Sequence, residues 1–148
     1  MQVRLAREED IEQVLDLVRC AVLENRPWLL FDENRARTSF EDYLTTADPT
    51  VFVVDGGDRL TALSVVSINA YRAAAGLFIL HEIFYVRPEY RGSRAAALMI
   101  KSIISWSQAL GVREIIGGND SGKKSNQIAR FLGRFGFTPV GFCMRKVL

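Results

Sequence analysis

The stretch ILHEIFYVRPEYRGSRAAALMIK, residues 79–101, decides how the rest of the chain is read. It begins as an apolar and aromatic run of strand composition. It breaks at Arg87-Pro88, passes through Arg-Gly-Ser-Arg at 91–94, and continues as an alanine-rich helical run. One carboxylate, Glu82, stands inside the strand. A strand, a small cationic turn and a helix in that order have a physical use. The first amides of a helix have no intrahelical acceptor, and the helix dipole adds partial positive charge there. Gly92, Ser93, Ala95 and Ala96 are small enough to let an anion reach the backbone, and Arg91 and Arg94 add charge. On these residues alone the turn reads equally as a pyrophosphate cradle or as a solvated turn feeding a packed helix.

Outward from this stretch the pattern alternates between helix and strand periods. Residues 2–7 predict a short strand, and Ile11, Val14, Leu15, Val18, Ala21 and Val22 share one face of a helix over 8–25. Residues 26–34 break at Pro27 and read as a loop, and a shorter helix follows over 35–47. Two strands over 50–68 turn at Asp55-Gly56-Gly57-Asp58, a strong hairpin signal. Residues 70–76 connect to a third strand that ends at Val86. The helix after the cationic turn runs from 91 to a stop at Gly111. A buried strand over 113–118, a polar loop over 118–125 and a helix over 126–136 complete the crossover. FTPVGF and CMRKVL, residues 137–148, read as a closing strand pair. The expected fold is α/β with a mixed sheet: an antiparallel N-terminal meander followed by a β-α-β crossover, in one domain over 1–148.

Composition narrows the function classes. The chain has 148 residues, 49% apolar and 24% charged, enough for one domain with its own core. A net charge of only +2 argues against a general nucleic-acid binder. Two cysteines and one histidine are too few for a structural zinc site, so no metal is expected. The charged first ten residues do not resemble a signal peptide, and no apolar run approaches the roughly 20 residues of a membrane helix. The expectation is a cytoplasmic protein with no membrane partner.

The segment VRPEYRGSRAA resembles the first motif of the GNAT acetyltransferase superfamily, V-x-P-x-Y-R-G-x-G-x-G/A. Val86, Pro88, Tyr90, Arg91, Gly92 and Ala96 fit, and Arg94 replaces the middle glycine of the core. Asn126, Ala129, Phe135, Gly136 and Phe137 resemble the later N-x-x-A…L-G-F signature of the same family. The predicted element order is also similar to the family's, with splayed central strands.

The resemblance implies an acetyl-CoA-dependent N-acetyltransferase, with acetyl-CoA as cosubstrate and a primary amine of a small molecule or protein as acceptor. It implies that Arg91, Gly92, Ser93, Arg94, Ala95 and Ala96 hold the pyrophosphate. It further implies that the backbone of Phe84 and Val86 pairs with the pantetheine arm. Arg94 either reaches a phosphate or obstructs the cradle. Asn126 either meets the arm or caps its helix, and Lys123 and Lys124 are near enough in sequence to meet a phosphate. Homodimers are common in the family.

An amine of the lysine type, with a pKa of roughly 10.4, needs a base at neutral pH. Strand alternation puts Glu82 on the face of Phe84 and Val86 and makes it the candidate base; the bland reading is an ion pair with an arginine. The same alternation puts His81 on the opposite face, as a packing residue. Many family members carry a tyrosine that protonates the leaving thiolate, and here that position is Leu132. The loop residues Trp28, Leu29, Leu30, Phe31, Asp32 and Glu33 either hold a cationic amine or plug the core under the second helix. Arg94 and Leu132 favour the alternative, a non-catalytic CoA-binding or structural protein of the same fold, for example a viral one. Glu82 and Tyr90-Arg91-Gly92 favour the enzyme.

Overall fold

The computed structural model describes residues 1–118 and 121–148. Five strands form one sheet in chain order: β1 (Gln2–Leu5), β2 (Thr50–Asp55), β3 (Leu60–Ala70), β4 (Leu77–Val86) and β5 (Glu114–Ile116). The first three pairings are antiparallel and β4–β5 is parallel, as a meander followed by a crossover requires. The helices are α1 (Ile11–Asn25), α2 (Glu33–Thr46), α3 (Ala95–Leu110) and α4 (Ser125–Gly133).

The sheet is covered on both sides, which is why β2 through Val54 and β3 through Val66 are buried without a break, Thr50, Thr61 and Ser64 included. On one face Leu63, Val53 and Val51 pack with Leu17 and Ala21 of α1 and with Phe40 and Tyr43 of α2. On the other, Val54, Val66 and Ile79 pack with Met99 and Ile103 of α3.

Polar groups pin the edges of this sandwich. Arg4 on β1 donates to Asp10 at the head of α1, at 2.6 Å, and to Asp55 at the end of β2, at 3.0 Å. Asp10 also accepts from the Arg7 amide. Its carboxyl is held below the usual range, chiefly by the Arg4 hydrogen bond. Buried Arg87 donates to the Leu60 carbonyl at 2.9 Å and to Asp16 of α1 at 3.0 Å, clamping the end of β4 beneath α1.

Several boundaries differ from the sequence reading for local reasons. Asp32 caps α2 by accepting from the Arg35 amide, so that helix starts at Glu33 rather than Arg35. α3 begins at Ala95 because residues 91–94 are spent on the turn. The polar loop read over 118–125 falls partly on residues 119 and 120, which lie outside the described residues.

The closing strand pair does not form: residues 137–148 belong to no strand. β5 offers only three residues of edge, and Pro139 has no amide to donate. Val140, Phe142 and Met144 are 92%, 99% and 91% exposed in consequence.

Candidate functional site

β4 carries the site because it has two different neighbours along its length. Toward β3 it is paired from Leu77 to Val86. Toward β5 it is paired only through Phe78, Ile79 and Leu80, opposite Glu114, Ile115 and Ile116. Beyond Leu80 the two parallel strands part, and among the described residues no strand pairs with the β5 side of residues 81–86, which leaves an open edge. The Arg87 amide donates to the Thr61 carbonyl on β3. Antiparallel alternation from that bond turns the N–H and C=O of Phe84 and Val86 into the fork.

A bulge sits two residues into the fork. Val65 pairs with Ile83 and Val66 with His81, which leaves Glu82 without a partner on β3. This corrects the alternation argument. The extra residue shifts the phase of the strand, so Glu82 does not share a face with Phe84 and Val86. His81 does: its ring meets Phe84 edge-on at 5.4 Å, on the α3 side of the sheet. Glu82 stands exposed at the bulge, and its carboxylate makes no hydrogen bond or ion pair with the described residues. The arginine pairing weighed as its bland reading is absent among them.

At the far end of the fork, the chain makes a short 3-10 turn over Pro88–Tyr90 and enters α3 through Arg91–Arg94. The Arg91 and Ser93 amides bond back to Pro88 and Tyr90, both at 3.2 Å, and the Ala95 amide bonds to the Ser93 hydroxyl. The amides of Gly92, Arg94, Ala96 and Ala97 have no acceptor among the described residues. Four unsatisfied donors at the head of a 16-residue helix form a seat for an anion. Gly92 has a φ of +83°, a conformation side chains resist, and this bend sets the seat's shape. The Arg94 side chain is exposed, with no partner among the described residues.

Arg91 has a different task from Arg94. Its Nε donates to the Val86 carbonyl at 2.9 Å, and its Nη2 reaches Glu24 at the end of α1 at 2.7 Å. The guanidinium also lies 5.4 Å from the centre of the Tyr85 ring. It braces the turn against β4 and α1, so its cation is already engaged. Glu24 is held below the usual carboxylate range, chiefly by that hydrogen bond. The Glu24 carbonyl accepts from Lys123 at 2.6 Å, which brings the segment ahead of α4 to the same place.

The remaining expected residues fall as follows. Asn126 lies inside the first turn of α4, exposed, and Lys124 occupies the capping position; the capping role for Asn126 is therefore incorrect. Leu132 is half-buried on α4. The 26–31 loop does not plug the core: Trp28, Leu29 and Leu30 are 40%, 45% and 96% exposed. Arg145 already lies 4.5 Å from the centre of the Trp28 ring. The sequence reading missed Arg87, Glu24 and Ser64. Only Arg87 left a trace in the sequence, as a cation directly after an apolar strand.

A family model described as Acetyltransferase (GNAT) family matches residues 12–137. The chain belongs to the GNAT acetyltransferase family. Solved structures share its fold across nearly the full length. A transcriptional regulator from Bacillus halodurans is 17% identical with a TM-score of 0.82, covering 99% of each chain. Glucosamine-6-phosphate N-acetyltransferase from Arabidopsis thaliana is 14% identical with a TM-score of 0.75, covering 99% of this chain and 97% of that one. An aminoglycoside 6'-N-acetyltransferase from Acinetobacter haemolyticus is 16% identical with a TM-score of 0.74, covering 99% of both. A search of curated proteins gave no match.

Proposed function

We propose that the protein transfers an acetyl group from acetyl-CoA to a primary amine of a small molecule or protein. The observation that carries this reading is one continuous strip of unsatisfied backbone. It runs from the free amides of Gly92, Arg94, Ala96 and Ala97 to the open edge of β4, where the N–H of Val86 and the N–H and C=O of Phe84 face the fork, the Val86 carbonyl being held by Arg91. A diphosphate on a linear amide-bearing arm matches such a strip: charge at the helix head, peptide-like groups along the strand. Ser93 shapes the seat through its hydroxyl, Ala95 and Ala96 keep it open, and Arg94 adds an exposed cation. Arg91 holds the seat in place. Asn126 lies exposed on α4, where its amide can meet the arm.

A ligand anchored this way brings its thioester to the bulge. There Glu82 takes the proton from the incoming ammonium, directly or through one water. The freed nitrogen pair attacks the carbonyl carbon, the C–S bond breaks, and its electrons leave on sulfur. The nitrogen gives up its second proton to solvent as the amide forms.

The test is a thermal shift followed by thiol release. Acetyl-CoA at a hundred times its dissociation constant should stabilise the fold by about 2.7 kcal/mol. With a panel of amines, wild type should release free CoA and Glu82→Gln should slow that release about 100-fold. No stabilisation by acetyl-CoA sinks the whole reading; an unchanged rate in Glu82→Gln removes the assigned base alone. Leu132, in place of a proton-donating side chain on α4, supports a second reading, a CoA-binding protein without transfer. Binding without release by any amine would select it.

A further inference from the structure

His81 is the only histidine in the chain, and it sits where the fork opens. The last β4–β5 pair is Leu80 with Ile116, so His81 and Gly117 are the first residues on either side of the gap. A Cβ built on Gly117 would lie 3.0 Å from the His81 Cβ and 3.2 Å from Nδ1. The ring therefore leans across the gap against the Gly117 backbone and floors the fork on its α3 side. Its other nitrogen, Nε2, is hydrogen-bonded to the Ser64 hydroxyl of β3, and Ser64 is fully buried.

The pairing fixes the proton by elimination. Suppose Nε2 carries the hydrogen and donates to the Ser64 oxygen. The Ser64 O–H then needs a second acceptor, and none exists among the described residues. A buried hydroxyl hydrogen left without an acceptor is costly, because it has given up its bond to water. If Ser64 donates to Nε2 instead, the hydroxyl is satisfied and the hydrogen of the ring stands on Nδ1. That leaves one open group, and it is at the fork. Burial also pushes the imidazole down to a pKa of about 4, so the ring is neutral at physiological pH.

We propose that Ser64 and His81 form a positioning pair that presents a neutral Nδ1–H donor to the sulfur end of the ligand in the fork. This rests on the acetyl-transfer reading above. The cradle lies beyond Val86 and the ring at the opposite end of the open edge, so a ligand held by its phosphates brings its reactive end to His81. A neutral imidazole is too weak an acid to surrender the hydrogen. It donates a hydrogen bond as negative charge gathers on sulfur, and the departing thiolate takes its proton from solvent. The pair thus supplies stabilisation at the atom left without a donor by Leu132.

The single histidine makes the test unambiguous. In chain labelled with 15N-histidine at pH 7, Nδ1 should resonate as the protonated nitrogen and Nε2 as the bare one. Ser64→Ala should mix the two tautomers, and Ser64→Thr, which keeps a hydroxyl, should restore the first. Saturating acetyl-CoA should shift the Nδ1 resonance, and desulfo-CoA should not. With an accepted amine, Ser64→Ala should lower kcat about tenfold with little change in KM for acetyl-CoA. A wild-type Nε2–H tautomer overturns the proposal, and this needs no variant to fold. Bound acetyl-CoA with an undisturbed Nδ1 overturns it as well. Failure of acetyl-CoA to bind at all removes the acetyl-transfer reading and the proposed role with it, and is distinguished by a tautomer that still follows Ser64.

Discussion

Acidification between pH 7 and 5 should destabilise this protein, and one side chain should account for the slope. The folded chain keeps His81 neutral down to about pH 4, because burial penalises the imidazolium; an unfolded chain protonates it at its ordinary 6.5. Below 6.5 the unfolded state therefore binds a proton that the folded state refuses, and stability falls as pH falls. Each unit in that window costs about 1.4 kcal/mol, so about 2 kcal/mol is lost between pH 6.5 and 5. The window is clean, since the carboxylates with resolved shifts, Asp10, Asp16, Glu24 and Asp55, are all lowered and act nearer pH 4 and below. The assay is urea denaturation at half-unit steps, comparing wild type with His81→Gln. Glutamine still reaches Ser64 but does not titrate, so the variant should be flat from pH 7 to 5. A flat wild type, or the same slope in both proteins, would refute the buried neutral ring.

Three further expectations follow from other contacts. Gly117→Ala should cost about 1–3 kcal/mol by forcing a methyl against His81, and most of that should vanish in a His81→Ala background; additive effects in this double-mutant cycle would contradict the 3.0 Å approach. Asp10→Asn should destabilise by about 2–3 kcal/mol at pH 7, since Arg4 keeps only Asp55. The folded carboxyl of Asp10 is lowered, so its contribution is present above about pH 4 and disappears as pH falls through the folded value; the Asn variant should lose less stability on acidification below pH 4 than wild type. Arg91→Lys should weaken acetyl-CoA binding about fivefold by loosening the seat, read by calorimetry. Its effect on unfolding should stay under about 1 kcal/mol, because the Glu24 pair is more than a third exposed on both sides.

The meander, the crossover and the cationic turn were all legible in residues 50–118, because strand and helix periods, glycine punctuation and the Arg-Pro break speak locally. The fork's geometry was not. Alternation is counted one residue at a time, and nothing in LHEIF marks where a strand takes in an extra residue; that depends on how β3 lies against it. Glu82 and His81 exchanged faces for this reason. Arg91 also looked like a phosphate ligand, since its partner Glu24 is 67 residues away and invisible to local reading. The C-terminal segment alternates like a strand but has no ladder to join.

The bulge makes β4 sensitive to counting more than to chemistry. Residues before Glu82 and residues after it follow opposite odd–even rules while serving the same two cores. Exchanging one side chain there disturbs one neighbour. Removing or adding a single residue between Leu80 and Tyr85 would turn half the strand inside out, sending Tyr85 toward α3 or Ile79 toward α1. Length in this short interval, rather than composition, is what a designer grafting a new specificity onto the strand has to preserve.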